Sequence, residues 1–119
     1  MQYEELYNAW REEKGSTELR SLRKDFHNEL KWFVESLLTE RDTLDEKTVN
    51  RRLLDREVEN VRRLVKDLTQ LRNRKMLETS IRGGIKSSDA FTDDEASIYT
   101  YLTSIPEKAE RLLKDIVEG

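Results

Sequence analysis

The sequence contains no cysteine, one histidine, one proline and four glycines in 119 residues, and each scarcity closes part of the functional range. Without thiols there is no disulfide and no thiolate nucleophile, and a lone histidine cannot complete the Cys/His set of a structural zinc site. So little proline and glycine also deprives a strand-rich fold of its turns. No apolar run approaches the roughly 18 residues of a membrane span. The opening MQYEELYNAW is acidic and lacks the apolar centre of a secretion signal. The expectation is one soluble, cytoplasmic, all-α domain covering residues 1–119.

Patterns that carry chemistry are missing as well. There is no Gly-rich phosphate loop, no HExxH, no EF-hand loop and no ExxH spacing of a helical di-iron site. The carboxylates are interleaved with Lys and Arg, and nothing in the pattern isolates two of them in an apolar pocket. No catalytic residue, cofactor or metal is expected, and the chain reads as a non-enzyme.

What is present is helix. Charged residues make up 39% and hydrophobic ones 35%, and from Asp45 to about Arg82 the chain runs without Gly or Pro. Val49, Leu53, Leu54, Val58, Val61 and Leu64 begin an apolar stripe that continues through Val65, Leu68 and Leu71 at helical spacing. At about 1.5 Å per residue such a helix is on the order of 55 Å long, roughly twice the diameter of a globule of this mass. The chain cannot cover it alone, which predicts a bundle built on one long helix and completed by other subunits.

Charge is segregated along the sequence. Residues 1–50 hold eight Lys/Arg against twelve Asp/Glu, residues 51–86 eleven against five, and residues 87–119 three against eight. The basic rod is explained either by docking of acidic helices or by nucleic-acid phosphates meeting Arg51, Arg52, Arg56, Arg62, Arg63 and Lys66. With no aromatic residue between Arg51 and Arg82 to stack on bases, direct DNA contact is the secondary reading.

In chain order, a first helix is predicted over Tyr3–Lys14, its Tyr3, Leu6, Tyr7 and Trp10 on one face, ended by Gly15. A short helical turn is expected over Ser16–Leu22. A second helix, about Lys24 to Glu40, repeats Phe26, Leu30, Phe33, Val34, Leu37 and Leu38 on one face. It leaves Trp32 on the opposite side as a contact or surface residue, and gives His27 a structural place. Thr43 and Glu46 fit a capping box for the long helix, with an unbroken helix through 41–44 as the alternative. Glu59 and Arg63 form an i,i+4 pair. Gly83 and Gly84 end the long helix and Ile85–Phe91 forms a loop. A second capping box at Thr92–Glu95 opens the last segment. There Ile98, Leu102, Ile105, Ala109, Leu112 and Ile116 keep four-three spacing across Pro106, which predicts a kinked helix or two coaxial pieces re-capped by Ser104 and Glu107.

Three stretches resemble a known family. They are Tyr3-Glu4-Glu5-Leu6 through Trp10-Arg11-Glu12-Glu13-Lys14 to Glu18-Leu19; Glu59 to Arg63 leading into Leu68 and Leu71-Arg72-Asn73-Arg74-Lys75-Met76; and Phe91-Thr92-Asp93-Asp94-Glu95 with Ile98-Tyr99 and Leu102. In this order they are similar to the GINS family of replication factors, namely the helical domain of the subunit class in which that domain precedes a small β domain. The chain departs from the family in lacking Pro before Asp25-Phe26, in carrying Trp32, and in having no β-domain segment after the helices. The resemblance implies a scaffold that assembles through its helices into a homo- or hetero-tetramer with other GINS subunits. That tetramer would bridge the MCM helicase and a RecJ-like or Cdc-type protein at replication forks. It places Leu6, Tyr7, Trp10, Leu71, Arg72, Arg74, Lys75 and Tyr99 at or directly beneath a subunit interface; Trp32 is a contact candidate on its position opposite the apolar face alone, since it departs from the family. A self-associating helical adaptor and a helical nucleic-acid binder are the rival functions.

Overall fold

In the computed structural model, which describes residues 1–82 and 90–119, the chain is all-α. Four helices follow one another: α1 (Tyr3–Lys14), α2 (Phe26–Asp42), α3 (Val49–Ile81) and α4 (Asp93–Glu118). The molecule is elongated, 70 × 27 × 20 Å, because the 33 residues of α3 form a rod about 50 Å long. The other helices pack on that rod. Trp10 bonds to Asp67 and Glu13 to Arg72, so α1 runs parallel to α3. The short 43–48 connection makes α2 antiparallel to it.

The core lies between α1, α2 and α3. Leu6, Phe26, Leu30 and Leu37 close on Leu54, Val58, Val61, Leu64 and Leu68, with Trp10, Phe33, Val34 and Val65 packed around them. Burying each such side chain contributes roughly 1.5–3 kcal/mol, so α1 and α2 are held chiefly by the middle of the rod. Exposed Val49 and Leu53 mark one end of α3, and Leu77 and Ile81 the other.

Several local expectations are corrected. The long helix starts at Val49, capped by Thr48 Oγ1, which accepts from Arg51 N at 3.2 Å, and not at the Thr43/Glu46 box. Thr43 instead donates its hydroxyl to Glu40 O at the end of α2, and Arg51 Nη1 donates to the Arg41 and Leu44 carbonyls. Thr43 N and Leu44 N already bond the Glu40 and Arg41 carbonyls, and the two side chains add second donors there and one at Leu44, which takes them away from the roles expected of them. Ser16–Leu22 is irregular rather than helical, because its backbone is held by side chains on α3, as described below. Gly15 ends α1 at φ −82°, in the right-handed region open to any residue, so no left-handed cap operates there. Arg63 donates to Asn60 Oδ1 at 3.0 Å instead of pairing with Glu59.

The capping box at Thr92 and Glu95 forms in both directions. Helix α4 then continues through Pro106 in one piece, and Ser104 Oγ bonds back to the Tyr101 carbonyl at 2.7 Å instead of re-capping a second helix. The expected stop at Gly83-Gly84 and most of the expected loop lie outside the described residues.

Candidate assembly interface

The guanidinium of Arg72 is fully satisfied inside the fold. Its position continues the buried phase of α3, four residues after Leu68 and four before Met76, so the helix carries it into the interior at 1% exposure. Nε and Nη2 form a two-pronged bond to the Glu95 carboxylate at 2.6 and 2.7 Å. Nη1 donates to Glu13 Oε1 and to the Arg20 carbonyl, both at 2.6 Å, and Nη2 also donates to the Ala90 carbonyl at 2.9 Å. All five N–H donors of the fork are therefore used. One turn on, Lys75 Nζ spends its three protons on Glu13 Oε2, the Glu13 carbonyl and the Glu18 carbonyl, at 2.6, 2.7 and 3.0 Å. Glu13 Oε2 also accepts from Arg20 N at 3.2 Å.

These bonds tie α1, the 16–25 segment, α3 and the start of α4 into one node. Burial works against the charge on Arg72, but the hydrogen bonds and charges of Glu95 and then Glu13 overcome it and hold the guanidinium above its ordinary value. For Glu95, burial pushes the carboxyl up. The bond from Arg72, the Thr92 N–H and the positive charges nearby outweigh it, leaving the group below the usual carboxylate range. His27 joins from α2, with Nδ1 2.7 Å from Thr92 Oγ1. Thr92 Oγ1 also accepts from Glu95 N, so the hydroxyl links the imidazole of α2 to the first turn of α4. Backbone bonds from Leu22 to Ala90 O and from Asp93 to Lys24 O complete the seam. Among the described residues no buried side-chain polar atom lacks a partner.

The nine residues named from sequence as interface candidates thus fall into different places. Leu6 and Arg72 are fully buried within this chain, and Lys75 is turned inward to Glu13. Leu71 is half-buried and Arg74 exposed. Tyr99 is half-buried, its ring 4.7 Å from that of Phe91. Tyr7 stacks between Tyr3 and Trp10 on the half-exposed outer side of α1, and Lys14 Nζ sits 4.9 Å from the Trp10 ring. Trp10 itself is anchored to Asp67 at 2.5 Å. Trp32 is 72% exposed. The roles of Glu13, Thr92 and Glu95 in a shared ion node were missed from sequence, although the phase of Arg72 on the α3 stripe was a readable signal.

No family model, curated protein or solved structure matches the chain.

The second feature is apolar and outward. Ile98, Tyr101, Ile105, Leu112, Ile116 and Val117 on α4 are all exposed, between 48% and 75%. Scattered exposed apolar side chains are ordinary; a row along one helix is a larger apolar surface than such scatter gives. Along the other flank of the rod, Arg52, Arg56, Arg62, Arg63 and Lys66 face solvent, while Arg51 is taken by α2. Among the described residues, no helix is long and apolar enough to cross a membrane, and no group of three or more His, Asp or Glu is placed to hold a metal ion.

Proposed function

We propose that this chain is a non-enzymatic assembly subunit, the helical domain of a GINS-type scaffold that joins other GINS subunits and links the MCM helicase to a RecJ-like or Cdc-type partner in DNA replication. The observation that carries assembly is the uncovered apolar row on α4, since a chain that buries its polar outliers so thoroughly has no intrachain use for that row. What supports the GINS identity is the convergence of the three resembling stretches. Glu13 from the first, Arg72 and Lys75 from the second, and Thr92 and Glu95 from the third meet in one buried node. Spacing that is arbitrary in sequence acquires one physical cause.

Co-purification of the tagged chain from its native cells tests this reading. Recovery of other GINS-like subunits and the MCM helicase is the expected result. A chain that recovers none of them, and sediments as a monomer at tens of micromolar, ends the proposal.

A second reading rests on the exposed basic residues Arg52, Arg56, Arg62, Arg63 and Lys66, which suit phosphate contacts. Glu59 lies among them on the same flank and weakens the field. Binding to duplex and single-stranded DNA across a salt series separates the two: steep loss of tight binding with salt favours phosphate contact, and weak binding throughout favours the scaffold.

A further inference from the structure

From Ile105 to Gly119 every residue is exposed, so the distal turns of α4 have no support from the other described residues. An unsupported helix of that length is marginal in water. Its apolar side chains nonetheless keep strict four-three spacing, the a and d positions of a coiled coil. With Leu102, Ala109 and Ile116 at a, and Ile98, Ile105 and Leu112 at d, the flanking g positions are Lys108 and Asp115 and the flanking e positions are Pro106 and Leu113.

We propose that α4 pairs with α4 of a second copy of this chain, antiparallel, in the register that packs Ile105 on Ile116 of the partner subunit and Ala109 on Leu112 of the partner subunit. That single register resolves the flanks as well as the seam. In an antiparallel pair g faces g and e faces e. Lys108 then lies opposite Asp115 of the partner subunit, Asp115 opposite Lys108 of the partner subunit, and Pro106 opposite Leu113 of the partner subunit. Charge meets opposite charge twice and apolar meets apolar twice. A parallel pair would set Lys108 against Leu113 and match no opposite charges, which selects the antiparallel arrangement. The small Ala109 against the large Leu112 brings the axes close at the dyad. Overlap of about two heptads buries less than the roughly 1,600 Å² of a standard interface, so the pair is reversible, with dissociation in the micromolar range.

The pairing rests on the assembly reading above and narrows it to one partner. Because the chain has no cysteine, introduced thiols report on it without background. Separately purified Ile105→Cys and Ile116→Cys chains, one carrying a mass tag, are mixed and oxidised. The expected product is the mixed cross-linked dimer; cross-linked dimers of the Ile105→Cys chain with itself, in place of the mixed one, overturn the antiparallel register. Sedimentation equilibrium gives the second arm. Lys108→Glu weakens the dimer about tenfold, and Lys108→Glu with Asp115→Lys restores it. Both positions are exposed, so neither variant disturbs the fold, and circular dichroism verifies this. A wild-type chain that stays monomeric at about 100 µM overturns the pairing while leaving assembly with other subunits to the co-purification test. A wild-type oligomer indifferent to Lys108→Glu keeps assembly and overturns this interface.

Discussion

The Arg72 node and the distal half of α4 are opposite violations of the same rule. In one, four ionisable side chains sit inside the fold; in the other, a row of Ile and Leu stands outside it. The node is complete. Every donor of Arg72 and Lys75 meets an acceptor of the same chain, so it needs nothing further and fixes how the four helices meet. The α4 row, from Ile105 onward, is exposed and is covered by none of the other described residues. Polar groups buried with full partnership lock an internal geometry, whereas apolar groups exposed in register are what the proposed assembly would cover. The two regions share one helix: Glu95 in the first turn of α4 is bonded to Arg72, and the turns beyond Ile105 carry the exposed row.

Breaking the node has the largest expected effect. Arg72→Met leaves Glu95 and Glu13 buried with their main counter-charge gone, and only Lys75 remains to compensate Glu13. Removal of one partner from such a cluster costs about 3–5 kcal/mol, read as a lowered midpoint in urea unfolding. Arg72→Lys keeps the charge but cannot reproduce the two-pronged bond to Glu95 or reach five acceptors, so it falls between wild type and Met. If Arg72→Met unfolds with the wild-type midpoint, the node does not organise the fold.

Acid separates the two regions next. Glu95 is held below its ordinary value of 4.5, so the unfolded chain binds its proton first as pH falls. Its contribution to stability is complete above 4.5 and is lost as pH drops below that value through the lower folded one. Unfolding midpoints measured from neutral pH downward are expected to fall below 4.5, and Glu95→Gln, less stable throughout, to show a shallower decline. The proposed α4 pair carries Asp115 at its flank, so the two proteins are compared at low protein concentration, where that pair is dissociated; a pH-independent difference between them would contradict the assignment. Thr92→Ala removes the α4 cap and the His27 contact together and costs about 1 kcal/mol.

Periodicity made much of this fold legible. Tyr3–Lys14 forms α1 with the expected bounds, the second and third stripes form α2 and α3, and Thr92–Glu95 caps α4. The local errors share a cause. Thr43 and the backbone of 16–22 read locally as a cap and a helical turn, and Arg51 as a solvent-facing phosphate contact, whereas helix ends and side chains distant in sequence claim them. In sequence Arg72 reads as a residue at or directly beneath a subunit interface, and its place in the Leu68–Met76 phase puts it inside the chain itself. Its acceptors, 23 and 59 positions away along the chain, cannot be found from spacing. The apolar seam of α4 was plain in the sequence; that the chain leaves it uncovered was not, because coverage is a property of the neighbours.

The smallest expected effect sharpens the comparison most, because it makes one substitution in two environments. Leu68, at 2% exposure, lies in the core, and Leu112, at 62%, lies on the α4 row. Leu68→Ala removes packed volume that the α1–α3 contact cannot refill and costs about 2–5 kcal/mol. Leu112→Ala in the isolated chain removes a side chain that touches mostly water, and alanine is the better helix former, so unfolding measured at sub-micromolar concentration should change by less than about 0.5 kcal/mol. Repeating the Leu112→Ala measurement at high protein concentration reads what the row is for. A midpoint gap that opens with concentration shows that Leu112 is covered by another chain, and a gap equally large at both concentrations would mean that α4 folds back onto its own core.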